Sequence, residues 1–181
     1  MKPLLLLLMQ YLLLVQVLYY QNQQIDSLKA VSANQREDTS KVNTLNELCK
    51  ALAENHDYTN AIVSASTALS LSLKTNFKKG TGDSHKNIGW IYSVADNYPE
   101  ALKHAYKALQ CYDDIQYKEG IAQASFNIGD YYRLQENYSQ PMKYYLPALK
   151  LFEETGNKEK LALCNYSWEN FILNCAITRK L

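Results

Sequence analysis

Hydrophobic and polar positions divide the chain into two regimes. Residues 4–20 read LLLLLMQYLLLVQVLYY, without a charge and with only Gln10 and Gln16 strongly polar. As a helix this stretch shows apolar side chains on every face and no polar stripe to water. It would span about 25 Å at 1.5 Å per residue, against a hydrocarbon core of about 30 Å. Lys2 ahead of the run fits a secretory signal or a short membrane anchor, and both mean export. Tyr19 and Tyr20 stand where a signal cleavage site has small residues. Farther along, apolar and small residues recur at helical spacing instead. Ile88, Ile91 and Tyr92 share one face, and so do Ala101, Ala105, Ala108 and Leu109.

The second regime repeats itself. Residues 80–119 align with 120–159 without a gap, and identities include Gly80/Gly120, Asn87/Asn127, Ile88/Ile128, Gly89/Gly129 and Tyr92/Tyr132. They continue through Asn97/Asn137, Tyr98/Tyr138, Ala108/Ala148, Leu109/Leu149 and Glu119/Glu159. A weaker copy lies forty residues earlier, with Tyr58, Ala61, Ala65, Ala68 and Leu69 in register. Self-similarity at such a period marks a stack of supersecondary units.

Each copy reads as two helices. In the second, Asp96-Asn97-Tyr98-Pro99-Glu100 breaks the pattern, and Pro99 with Glu100 suits the first turn of a new helix. Gly89 and Gly129 fall inside helices, where Gly costs about 1 kcal/mol relative to Ala; a closely facing helix would explain them. Gly120 and Gly156 read as helix ends or turns. Pro147 falls inside the second helix of copy three and should bend it.

The pattern Ile-Gly-x-x-Tyr, then Asn-Tyr-x-x-Ala, then Ala-Leu resembles the tetratricopeptide repeat, in a forty-residue version. The resemblance covers about residues 40–159. Copy one departs with Cys49 in place of Gly and copy three with Pro141 in place of Ala. It implies an all-α fold: an α-solenoid of antiparallel helix pairs, preceded by the N-terminal hydrophobic helix. Its parts would be a leader (1–20), a short helix and linker (21–39), three repeats (40–79, 80–119 and 120–159) and a final helix (160–181). Residues 24–33, with Ile25, Leu28 and Val31 on one side, would cover the first repeat. Residues 158–177, with Leu161, Cys164, Trp168, Phe171, Ile172 and Cys175, would cap the third or begin a truncated fourth. The order of leader, IDSLK, EDTSKVNTLNEL and repeats resembles the sensory half of Bacteroidetes-type signalling proteins. In those the repeats precede a histidine kinase, a cyclase, a phosphatase or a DNA-binding domain, so this chain would be a free-standing repeat protein or the front part of a longer one. That likeness places the protein in the periplasm or on the inner membrane of a Gram-negative bacterium.

Composition narrows the function. Lys plus Arg is 19 and Asp plus Glu 18, with the signs mixed along the chain; a nucleic-acid binder needs a basic face. Fifteen Tyr and 47% hydrophobic residues exclude a disordered chain. His56 falls in a turn and His85 and His104 on helices, none paired with His or Cys at ligand spacing. There is no phosphate-cradling loop, no nucleophile elbow and no Cys-x-x-Cys. Asp113-Asp114 and Glu153-Glu154 read as solvated surface. Cys164 and Cys175 are eleven apart on one helix, about 16 Å along its axis and beyond bridging reach. Cys49, Cys111, Cys164 and Cys175 thus read as buried thiols. No enzyme, cofactor or metal is indicated.

A tetratricopeptide-like solenoid implies a groove lined by the first helix of each pair, which takes a protein or peptide ligand. Residues off the packing face would line it: Asn43, Asn46 and Lys50 in copy one, Lys86, Trp90 and Ser93 in copy two, Gln123, Phe126, Asp130 and Arg133 in copy three, and Tyr166 on the last helix. The polar ones suit peptide carbonyls and carboxylates. Trp90 and Phe126 are either aromatic anchors or fillers between repeats.

Overall fold

The computed structural model of the protein describes the backbone of residues 2–178 and the side chains of that range except 2–6, 14, 18, 174 and 176–178. Met1 and residues 179–181 lie outside the described residues, as do several side chains of the expected leader. The described residues form eight helices: α1 (Lys2–Asn34), α2 (Thr39–Glu54), α3 (Tyr58–Lys74), α4 (Lys78–Val94), α5 (Tyr98–Asp114), α6 (Lys118–Leu134), α7 (Pro141–Thr155) and α8 (Lys158–Thr178). The expected all-α solenoid is what the chain forms. Helices α2/α3, α4/α5 and α6/α7 are the three pairs, and α2, α4, α6 and α8 also touch in succession, forming one inner row.

Close approach rests on small residues. Ala61, Ala65 and Ala68 on α3, Ala101, Ala105 and Ala108 on α5, and Ala148 on α7 are buried. A methyl group at Gly89 would lie 3.1 Å from the Ala101 carbonyl, and one at Gly129 would lie 2.9 Å from the Tyr145 ring. The helical glycines therefore mark helix contacts, as the repeat pattern suggests. Cys49, at the matching place in copy one, is fully buried. Gly120 is not a helix end: it lies in the first turn of α6, against Tyr112 and Tyr117. Pro147 sits within a continuous α7.

One turn geometry serves every junction from α2 onward. His56, Asn76, Asp96, Gln116, Glu136 and Gly156 all have left-handed φ, between 52° and 68°. Their numbers advance in steps of twenty. At each, the next residue's N–H reaches back five positions, as Asp57 does to Leu52 at 2.8 Å and Tyr117 does to Tyr112 at 2.9 Å. The left-handed residue's own N–H reaches back three, as His56 does to Ala53. This is the Schellman cap. Side chains then start the following helices: Asp57 accepts from the Asn60 N–H and Asn97 from the Glu100 N–H.

The ends differ from the sequence reading in detail. The leader and the short helix of residues 24–33 run on as the single helix α1. Ile25 and Ser32 are buried against the array, whereas Val31, placed on the packing side by its spacing, is 44% exposed. The apolar leader residues from Leu7 to Tyr20 whose side chains are described are exposed. Among the described residues no helix is long and apolar enough to cross a membrane. At the other end, α8 buries Cys164, Ser167 and Phe171 against α6 and α7 and leaves Leu163, Tyr166, Ile172 and Leu173 exposed. Glu169 occupies the place of Gly89 and Gly129 in this helix.

Candidate binding groove

The inner row holds a cavity of about 410 Å³. Helix α2 contributes Asn43, Asn46, Glu47 and Lys50, helix α4 contributes Lys79, Asp83, Lys86 and Asn87, and α6 contributes Gly120 and Gln123. Tyr112 from α5 and Tyr117 from the α5–α6 turn complete the lining. Five of the residues selected from sequence therefore meet here: Asn43, Asn46, Lys50, Lys86 and Gln123.

Asp83 organises the floor. It accepts from Lys79 Nζ at 2.8 Å and from the Tyr112 hydroxyl at 2.7 Å, and Lys86 Nζ lies 3.7 Å away. Lys86 also donates to Gln123 Oε1 at 3.3 Å, linking α4 to α6. Burial pushes the Lys86 pKa down; Asp83 opposes this, and Lys79, Lys160 and Lys50 add to it. For Lys79 burial acts downward too, but the hydrogen bond and charge of Asp83 prevail and raise it. Burial, with Asp83 alongside, raises the Tyr112 phenol. Tyr112 is therefore a neutral donor, and Asp83 accepts from it on the groove floor with Lys79 and Lys86 on either side.

Asn46 ties α2 to α4. It donates to the Gly80 carbonyl and accepts from Ser84 Oγ at 3.1 Å and Asn87 Nδ2 at 3.2 Å. Its amide is thereby spent on the scaffold. Asn43, Glu47 and Lys50 remain exposed on the rim.

The other selected residues lie outside this cavity. Trp90 is 37% exposed on α4, with its carbonyl taken by Ser93 Oγ. Phe126 is buried in the α6–α7 core, its ring 6.0 Å from that of Tyr145, so it acts as a filler. Asp130 accepts from Tyr145 at 2.7 Å and pairs with Arg133 at 2.9 Å. Tyr166 stands exposed on α8. Sequence reasoning passed over Lys79 and Asp83, although counting back along the α4 stripe from Lys86 by three and seven reaches both. Tyr112 had no such signal, because it belongs to a second helix of a pair.

Two expectations about reactive side chains need correcting. His85 and His104 do pair, with Nδ1 atoms 3.0 Å apart. Cys49 and Cys164 are buried as expected, but Cys111 and Cys175 are half-buried. Burial pushes the Cys49 and Cys164 thiols up to about 12. Among the described residues no three His, Cys, Asp or Glu side chains converge to hold a metal ion.

Paired helices, an inner row and a polar hollow between first helices define a helical-repeat solenoid. Its architecture is that of tetratricopeptide-like repeat proteins, as the solved structures it resembles show. The apo form of RapI superposes with a TM-score of 0.72 at 18% identity, over 91% of this chain and 67% of that one. A Rap protein complexed with Competence and Sporulation Factor gives 0.67 at 15%, over 87% of this chain and 49% of that one, so this chain spans about half its length. A Podosopora anserina putative kinesin light chain of nearly identical TPR-like repeats gives 0.55 at 12%, over 89% and 93%. No protein-family model and no curated protein matches the sequence.

Proposed function

We propose that the protein is a non-catalytic interaction module whose inner row binds a peptide or a segment of a partner protein. The observation that carries this is the cavity between α2, α4 and α6, with Lys50, Lys79 and Lys86 around it and Asn43 unspent on its rim. Polar walls without a nucleophile and base in contact suit recognition rather than turnover. An extended segment would lay carbonyls or carboxylates against the ammonium groups and the Gln123 amide. The likeness to a Rap protein solved with a bound factor is consistent with this reading.

The export expected from the leader is part of the proposal, with the array in the periplasm or held at the inner membrane. A second reading, the sensory input module of a bacterial signal-transduction protein, draws on the unbroken course of α1 from leader into array. Such a helix would transmit displacement to whatever it is joined to.

The test is affinity capture from the native source, with the full chain and its Lys86→Glu variant as baits. Each captured protein is then titrated against both baits as a purified sample. A partner that binds the parent and loses at least about tenfold with Lys86→Glu, at unchanged helicity, supports the groove. Partners that bind both equally would refute it.

A further inference from the structure

The pair His85–His104 is required by nothing in the repeat. His85 is buried on α4 and His104 half-buried on α5, with Nδ1 atoms 3.0 Å apart and ring centroids 5.1 Å apart. At the equivalent places copy one has Leu45 and Ser64, and copy three has Ser125 and Tyr144. The fold thus closes this joint in two other ways and uses two imidazoles only in the central copy. That copy supplies Asp83, Lys86 and Asn87 to the groove, and Lys86 follows His85 directly on α4.

At 3.0 Å one nitrogen carries the proton and the other accepts it. The pair is satisfied while neutral and can tolerate one added proton. A second added proton sets two N–H donors and two positive charges face to face. We propose that His85 and His104 form an acid-released latch between α4 and α5, which holds the groove helix in place near neutral pH and frees it on acidification. The consequence for ligand binding rests on the function proposed above; the latch itself does not.

The surroundings favour release. Burial, then the charge of His104, then that of Lys107 hold the His85 pKa down at about 4. Burial, Lys107 and Lys103 lower His104, and only Glu100 opposes them. Glu100 is itself engaged by Lys103 at 2.9 Å. The Tyr92 ring of α4 lies tilted against His104, with centroids 5.7 Å apart. Helix α3, also packed on α4, has only Tyr58 and Lys74 as titratable groups, at its two ends. No charge from α2 or α6 is among the groups acting on either ring. Because both folded values are depressed, the unfolded chain binds more protons on the acid side of neutrality. The stability the pair contributes is present above about pH 6.5 and is lost as the pH falls toward 4.

The experiment uses the full chain and two double variants, His85→Ser/His104→Tyr and His85→Leu/His104→Ser, which install the residues of copies three and one. Thermal melts are recorded from pH 7.5 to 5, above the range where most carboxylates titrate. Backbone hydrogen exchange of α4 is followed at the same values, corrected for intrinsic rate. The parent should lose at least about 4 °C more than the variants over this interval, and its α4 exchange should quicken about tenfold while theirs does not. Parallel losses in parent and variants, or α4 protection indifferent to pH, would overturn the latch. Neither readout needs a partner. Failed capture with an acid-sensitive α4 would therefore sink only the groove, and captured partners with an indifferent α4 only the latch.

Discussion

The hydroxyl of Tyr112, a residue of the outer helix α5, donates to Asp83 on the inner helix α4 across 2.7 Å. Its ring passes between Gly82 and Gly120, where an added methyl group would meet it at 2.6 Å and 2.5 Å. Two glycines thus open a slot through which an outer helix reaches the groove floor. Copy three has Ala122 and Phe152 where copy two has Gly82 and Tyr112, and so sends no hydroxyl inward.

Gly120→Ala and Gly82→Ala should therefore both destabilise the fold, by about 1–3 kcal/mol each as overpacking does. Gly120→Ala should cost more, because its methyl group would strike Cγ, the base of the ring, which cannot swing aside, and Tyr117 as well. Urea unfolding followed by circular dichroism measures both. Equal stability of Gly120→Ala and the parent would mean that the slot is not tight.

Phe126 and Trp90, paired in the sequence reading as candidate anchors, should part company under truncation. Phe126→Ala removes a buried ring packed on Tyr145 and should cost about 3–5 kcal/mol. Trp90, more than a third exposed, should lose less than about 1 kcal/mol on change to Ala. Denaturant midpoints at constant m-value report both, and similar losses would place Trp90 in the core.

Period and helix pairing were legible in the chain because the same small residues recur every forty positions and pack at the same depth. Gly89, Gly129 and the alanines of α3 and α5 are visible as identities and turn out to be contacts. The groove was half legible. Lys86 and Gln123 follow from the rule that first helices face inward. Asn46 follows it too, but spends its amide on Gly80, Ser84 and Asn87, which no spacing rule reveals. Tyr112 and the His85–His104 pair come from contacts between paired helices, at positions where the copies disagree. Alignment among copies is blind to a feature that only one copy has.

Ion pairs step along the array with the repeat. Lys78 meets Asp114 at 2.6 Å, and their counterparts Lys118 and Glu154 meet at 2.9 Å. One copy earlier Lys74, at the place of Asp114, meets Glu37 at 2.6 Å, one position before Asp38, the counterpart of Lys78, so the positive charge there comes from the other helix. The joint thus accepts either orientation. Exposed pairs of this kind contribute little and are screened by salt. Lys78→Asp with Asp114→Lys should melt within about 3 °C of the parent, whereas Lys78→Asp alone should fall below both, and the difference should vanish in about 1 M NaCl, where the screening length is only about 3 Å. A double variant no better than the single one would show that polarity is fixed at this joint.

The left-handed residues that end helices α2 to α7 make a reciprocal pair of predictions. Gly156, at φ 68°, has nothing within 4 Å of where a methyl group would stand, so Gly156→Ala changes only backbone preference. A left-handed L-residue costs about 1–2 kcal/mol, and glycine's looser unfolded chain returns about 0.5–1 kcal/mol of that. The net loss for Gly156→Ala should be about 0.5–1 kcal/mol. Glu136 holds the same geometry at φ 58° with an exposed side chain, so Glu136→Gly should gain a similar amount. Asn76 and Asp96 bear the strain more easily, since short polar side chains tolerate this region, and glycine there should gain less. Urea midpoints of the three glycine variants therefore rank Glu136 above Asn76 and Asp96. A neutral Gly156→Ala together with a destabilising Glu136→Gly would mean that these junctions are held by side-chain contacts rather than by the Schellman geometry shared along the array.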